Sequence, residues 1–138
     1  MNIAIRYFTK SKKGNTFKLA TAVSEAASLE ALTIEHDLEE DVDILFLVNA
    51  MYAFDIDKQI KEFLKRNASK IKCLVNVNSA ASGSSTRKSV KKVADKLGVE
   101  VSEKEYHTVG SWLALNKGSP NEDDLNRLKE FVKEVIGQ

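Results

Sequence analysis

Two kinds of apolar pattern alternate along the chain. Short runs rich in Ile, Val, Leu and Phe read as strands, and between them apolar residues recur every three or four positions as one face of a helix. Ile3 to Phe8 is predicted as the first strand, after which Leu19, Ala20, Val23, Ala26 and Ala27 mark a helix face. Ala31 to His36 forms a short second strand, and the acidic Glu39-Glu40-Asp41 turns the chain into Val42-Asp43-Ile44-Leu45-Phe46-Leu47-Val48. Such an almost unbroken apolar run is typical of a central parallel strand covered on both faces. Ile56, Ile60, Phe63 and Leu64 mark the next helix, Ile71 to Val77 a fourth strand, and Val90, Val93, Ala94 and Leu97 a helix stopped by Gly98. Val99 to Tyr106 alternates as a half-exposed edge strand. The last helix has the clearest start: Pro120-Asn121 precedes Glu122, Asp123 and Asp124, which favour the positive end of the helix dipole, and Leu125, Leu128, Phe131, Val132, Val135 and Ile136 supply its buried face.

Five strands alternating with helices imply an α/β fold with an open parallel sheet, because right-handed crossovers place helices on its two faces. At 138 residues the chain is expected to form one domain, residues 1–138, around one sheet. In such sheets ligands bind beyond the carboxyl ends of the strands, where the winding direction switches. Three loops therefore carry the candidate chemistry.

The first joins strand to helix as Thr9-Lys10-Ser11-Lys12-Lys13-Gly14-Asn15-Thr16. Backbone N–H groups at a helix N-terminus point outward with the positive end of the dipole, and Thr and Ser hydroxyls add donors around the same anion, so this loop suits a phosphate. The second reads Asn49-Ala50-Met51-Tyr52-Ala53-Phe54-Asp55, and two aromatics at the ligand edge suggest a surface for stacking a flat ring. The third, Asn78-Ser79-Ala80-Ala81-Ser82-Gly83-Ser84-Ser85-Thr86, is made of small residues that let backbone approach a ligand closely. Each loop also has an ordinary reading, in which Tyr52 or Phe54 packs on the following helix and the Ser/Gly stretch caps one.

Charge narrows the classes. Lys and Arg total 21 against 20 Asp and Glu, a net charge of +1 that gives no electrostatic case for nucleic acid or an anionic membrane. Lys88, Lys92 and Lys96 share a helix face, which reads as a solvated face or as a docking patch for an acidic redox partner. Met1-Asn2-Ile3 leads straight into a strand and no apolar stretch approaches the roughly 20 residues needed to span a bilayer, so a soluble, cytoplasmic protein is expected. The single cysteine, Cys73, lies in the apolar run Ile71-Lys72-Cys73-Leu74-Val75 and reads as a buried strand cysteine; no metal site is expected.

The first-strand Tyr followed by Thr-Lys-Ser and Gly-Asn-Thr, the Tyr-bearing second loop, the small-residue third loop and the segment Tyr106-His107-Thr108-Val109-Gly110-Ser111-Trp112 together resemble the flavodoxin family, over essentially the whole chain. The resemblance implies a three-layer α/β/α sandwich with a five-stranded parallel sheet in order 2-1-3-4-5, binding one FMN and carrying electrons. It implies that Thr9, Ser11, Gly14, Asn15 and Thr16 hold the phosphate, and Lys12 and Lys13 are candidate contacts that add Coulombic attraction beside it or stay solvated. Tyr52 would stack on the flavin, flanked by Ala53 and Phe54, while Asn49, Ala50 and Met51 and Ser79, Ala80, Ala81, Ser82 and Gly83 line the ring. Transient redox partner proteins and a monomer or weak dimer are further implications.

The chain departs from the family pattern in four places. Lys12-Lys13 intervene before Gly14; Ala53 stands where family carriers often have glycine; the third loop lacks the aromatic that often covers the second flavin face, leaving Trp112 as the residue to cover it; and strong acidity is absent. An open flavin face suits a hydride donor or quinone, so a small FMN-dependent NAD(P)H:quinone-type reductase is the alternative, and a flavin-free interaction module a second one. A phosphoryl-accepting receiver domain is excluded, because Phe8-Thr9-Lys10 and Val48-Asn49-Ala50 stand where such a domain needs acidic residues. His107, at the end of the predicted fifth strand, is read as structural.

Overall fold

The computed structural model describes residues 1–10, 14–52, 54–110 and 118–137. In chain order the elements are β1 (Ile3–Tyr7), α1 (Asn15–Ala27), β2 (Ala31–Thr33), β3 (Val42–Ala50), α2 (Lys58–Asn67), β4 (Ile71–Ala80), α3 (Arg87–Leu97), β5 (Glu100–Val101), β6 (Tyr106–Val109) and α4 (Glu122–Val135). The strands form a parallel sheet in the order β2-β1-β3-β4-β5, with β6 also pairing β4.

The apolar run of β3 is central for the reason its sequence suggests. Successive side chains point to opposite faces, so Leu45 and Leu47 enter one core and Phe46 and Val48 the other, all four fully buried. Ile60, Phe63 and Leu64 of α2 and Val90 and Ala94 of α3 cover the first face. Leu19 and Val23 of α1 with Leu128 and Val132 of α4 cover the second. α4 starts on a reciprocal cap: Asn121 Oδ1 accepts from Asp124 N, and Asp124 Oδ2 accepts from Asn121 N, both at 2.9 Å.

The structure corrects three strand boundaries. The predicted single strand Val99 to Tyr106 is two strands, which makes the sheet six-stranded. β4 advances from Leu74 to Val77 while its partner advances from Val101 to Tyr106, so two extra residues must loop out. Arg87 holds that loop, its Nε donating to Ser102 O at 2.8 Å, and Lys104 N turns back on Ser102 Oγ at 3.0 Å. β2 stops at Thr33, because His36 N bonds Thr33 O (3.1 Å) and Arg6 Nε takes His36 O (2.8 Å). Burial pushes the Arg6 guanidinium pKa down, against the opposing pull of Glu39 and Asp37. β4 runs three residues past Val77, taking Asn78, Ser79 and Ala80 out of the third loop and into the sheet. Cys73 is a free, half-buried thiol on β4, its pKa pushed up first by burial.

Candidate functional site

The carboxyl ends of β1, β3, β4 and β6 bring the three predicted loops to one edge, where they enclose a cleft of about 700 Å³. That is within the range that encloses a cofactor-sized molecule.

At one end α1 begins after Gly14, which sits in extended conformation (φ −83°, ψ −164°). A glycine has no side chain with which to cap the first-turn amides, and no acidic residue stands in that turn. The helix N-terminus therefore keeps its positive end turned on the cleft, which Thr9, Gly14, Asn15 and Thr16 line. Ser11, Lys12 and Lys13 lie outside the described residues.

The second loop leaves the sheet at Ala50, and Met51 N still reaches Ser79 O at 3.2 Å. Tyr52 and Asp55 then exchange both backbone hydrogen bonds, Tyr52 N to Asp55 O at 2.8 Å and Asp55 N to Tyr52 O at 3.0 Å, closing a hairpin-like turn over the two residues between them. Tyr52 is half-buried and lines the cleft. Its hydroxyl pKa is raised, first by burial, against a hydrogen bond with the Lys10 backbone that lowers it. Lys10 Nζ lies 4.3 Å from the Tyr52 ring centroid and 3.8 Å from Asp57 Oδ2. A cation over the ring face is attracted by its quadrupole. Phe54 also lines the cleft but is 91% exposed and has a left-handed backbone, φ +67°. Ala53 lies outside the described residues.

Ser79, Ala80, Ala81 and Ser82 form the far wall. Ala80 O accepts from Gly83 N (2.9 Å) and from Gly110 N (3.0 Å), which turns the loop tightly and ties it to the end of β6. His107 Nδ1 donates to Gly83 O at 2.7 Å, so the histidine braces the same loop.

Two predicted ring-lining residues are elsewhere. Asn49 is fully buried inside the sheet and faces away from the cleft, because Asn76 and Thr86 satisfy its amide: Asn49 Nδ2 donates to Asn76 Oδ1 at 2.8 Å and Thr86 Oγ1 donates to Asn49 Oδ1 at 2.6 Å. Gly83 turns the loop without lining the cleft. Conversely, sequence reasoning assigned no site role to Lys10 and Gly110, which both line it. A Cβ on Gly110 would stand 2.7 Å from Asn15 Nδ2 and 3.2 Å from Ser79 Cβ, so a side chain there would crowd the Asn15 amide at the head of α1 and Ser79 at the end of β4. The signal was a lone glycine directly after a strand. Trp112 lies outside the described residues.

No protein-family model matches the chain. A relative does: the chain is 31% identical over 137 aligned positions to the uncharacterized protein MJ0298 of Methanocaldococcus jannaschii, across 88% of this chain and 90% of that protein. The chain belongs to the MJ0298 family. Among solved structures, this MJ0298-family chain superposes on a flavodoxin from the domain Archaea with a TM-score of 0.76 at 13% identity, covering 99% of this chain and 97% of the other. Flavodoxin 2 of Bacillus cereus gives a TM-score of 0.68 at 12% identity and 99% coverage of both chains. The NAD(P)H:quinone oxidoreductase of Methanothermobacter marburgensis gives 0.60 at 14% identity and 98% of both. The fold of the MJ0298-family chain is flavodoxin-like.

Proposed function

We propose that this protein binds FMN in the cleft and passes electrons one at a time between protein partners in the cytoplasm. One observation supports the reading most: an anion-attracting helix end, a half-buried tyrosine and a close-approach backbone wall lie around a single cleft of about 700 Å³. Each part answers to a different part of the cofactor. The amides of the first turn of α1, with the hydroxyls of Thr9 and Thr16, would bind the phosphate. Tyr52 would stack on the flavin, and the backbone of Ser79 to Ser82 would meet its polar edge. The missing Cβ at Gly110 fits this assignment, because it leaves room between Asn15 at the head of α1 and Ser79 at the end of β4. When bound, FMN supplies the redox chemistry; the chain binds it, orients it and sets its electrostatic surroundings.

Lys10 has a role the resemblance did not suggest. It lies over Tyr52 where a flat ligand would stack, and its stem can swing its charge from the ring toward a phosphate at the head of α1. The small third loop, which offers no aromatic side chain, favours a second reading in which an NAD(P)H nicotinamide or a quinone reaches the flavin directly.

An FMN fluorescence titration with Tyr52→Ala beside the parent chain tests binding, and NADPH with benzoquinone then tests turnover. Quenching that is relieved in Tyr52→Ala, together with negligible NADPH–quinone turnover, is expected for the carrier. Sustained turnover would establish the reductase instead.

A further inference from the structure

The two helices that cover one face of the sheet carry nine of the 21 lysines and arginines of the chain. α2 has Lys58, Lys61, Lys65 and Arg66 against Glu62. α3 has Arg87, Lys88, Lys91, Lys92 and Lys96 against Asp95. Nine basic side chains thus face two acidic ones on this layer, although the whole chain is balanced to +1. Much of the compensating acid lies in the segment from Glu30 to Asp43, which holds seven acidic residues and meets this layer where Asp37 pairs with Arg66 at 3.0 Å. Among the described residues Lys58, Lys65, Lys88, Lys92 and Lys96 make no ion pair, and all five are exposed. A single-sign surface this large raises a field that steers an oppositely charged partner.

This layer adjoins the cleft through the turn that carries Phe54. Asp55 accepts from Lys61 Nζ of α2 at 2.9 Å. Phe54, next to Asp55 in the chain, therefore stands between the cleft and α2. A bulky residue at φ +67° is strained, and a phenyl ring 91% exposed gains nothing from the core. Neither cost has a return in the isolated chain, whereas an aromatic held rigidly outward beside a charged rim is how an interface places its apolar anchor.

We propose that the α2/α3 face, with Phe54 as its anchor, docks an acidic-surfaced electron-transfer protein, bringing that partner to the mouth of the cleft. The docking stands on charge and geometry; only the partner's redox class rests on the electron-carrier reading. Nucleic acid fits the face less well, since Glu62 and Asp95 interrupt it, Glu105 lies beside α3, and no aromatic is interleaved with its lysines.

The test is direct binding of an acidic two-iron ferredoxin to the 138-residue chain, by calorimetry over a salt series, with the Lys58→Glu/Lys88→Glu double variant and Phe54→Gly. Both lysines are in first turns, where glutamate favours the helix dipole, so the reversal should leave folding intact. Binding that weakens with salt, falls about tenfold or more in the double variant and falls in Phe54→Gly without loss of stability is expected. No ferredoxin binding, binding indifferent to the reversal, equally tight binding of duplex DNA, or occupation of the face by a second copy in sedimentation would overturn the proposal. An FMN titration of the parent chain and of the Lys58→Glu/Lys88→Glu variant separates this failure from that of the cofactor assignment, since neither lysine lines the cleft.

Discussion

Thr86 Oγ1 donates to Asn49 Oδ1 at 2.6 Å, and the bond is one side of a closed ring. Asn49 Nδ2 donates to Asn76 Oδ1 at 2.8 Å, and Asn76 Nδ2 returns to Thr86 Oγ1 at 3.0 Å. All three residues are buried. Asn78 extends the ring outward, accepting from Thr86 N at 3.1 Å and donating to Ser84 O at 2.9 Å, so a polar lock inside the sheet holds the third loop against the cleft. Thr86→Val keeps the shape and removes the hydroxyl, leaving the Asn49 and Asn76 amides each short of a partner. It should cost about 2–3 kcal/mol in urea unfolding and weaken ligand binding as the loop loosens. An unchanged midpoint would mean that water replaces the hydroxyl at no cost.

Gly110→Ala tests the closure of the loops. The new methyl would meet Asn15 Nδ2 at 2.7 Å and Ser79 Cβ at 3.2 Å, so the Asn15 amide at the head of α1 must shift. We expect about 1–3 kcal/mol of destabilisation and a loss of FMN affinity that exceeds the stability loss at other sites of similar burial. Wild-type affinity in Gly110→Ala would show that the closure has no part in binding.

Phe54→Gly should not destabilise the fold. Relief of the left-handed backbone is worth about 1–2 kcal/mol, and it offsets the roughly 0.5–1 kcal/mol that glycine costs in chain entropy. A thermal midpoint equal to or above the parent is expected. A clear drop would show that the ring packs in the folded chain.

The turn at Tyr52 to Asp55 should weaken in acid. The Asp55 carboxyl is held below its ordinary value of 3.8 first by the hydrogen bond from Lys61, then by that from Ile56 N. A depressed folded pKa contributes stability above the unfolded value and loses it as pH falls through the folded one. Asp37 behaves alike, held down first by Asn67 and then by Arg66. Unfolding midpoints should be flat between about pH 7 and 5 and fall below about pH 4, with a shallower fall in Asp55→Asn. An identical acid limb in Asp55→Asn would remove this carboxylate from the account.

Much of the fold was legible because the signals are local. The Val42 to Val48 run, the Asn121 cap and the periodic faces of the helices each declare an element within a few residues, and the sheet order implied by the resemblance is the one found. What sequence reading missed depends on partners far along the chain. Val99 to Tyr106 alternates like one strand, yet Arg87 reaches across to Ser102 and two residues loop out. Asn49, at the mouth of a strand, looks like a ligand-facing amide, yet Asn76 and Thr86 turn it inward. The left-handed backbone at Phe54 follows from the Tyr52–Asp55 pairing, which no residue type announces. Of the site, the helix end and the aromatic loop were readable; the contribution of Gly110 needed the fold to bring it against Asn15.

The most direct test is calorimetric titration of the flavin-free chain with FMN and, separately, with riboflavin. The phosphate end predicts one FMN per chain and riboflavin weaker by about 100-fold or more, the worth of two charge-assisted hydrogen bonds to the head of α1. Equal affinity for the two, or no binding of FMN at micromolar concentration, would contradict the assignment of this cleft to FMN.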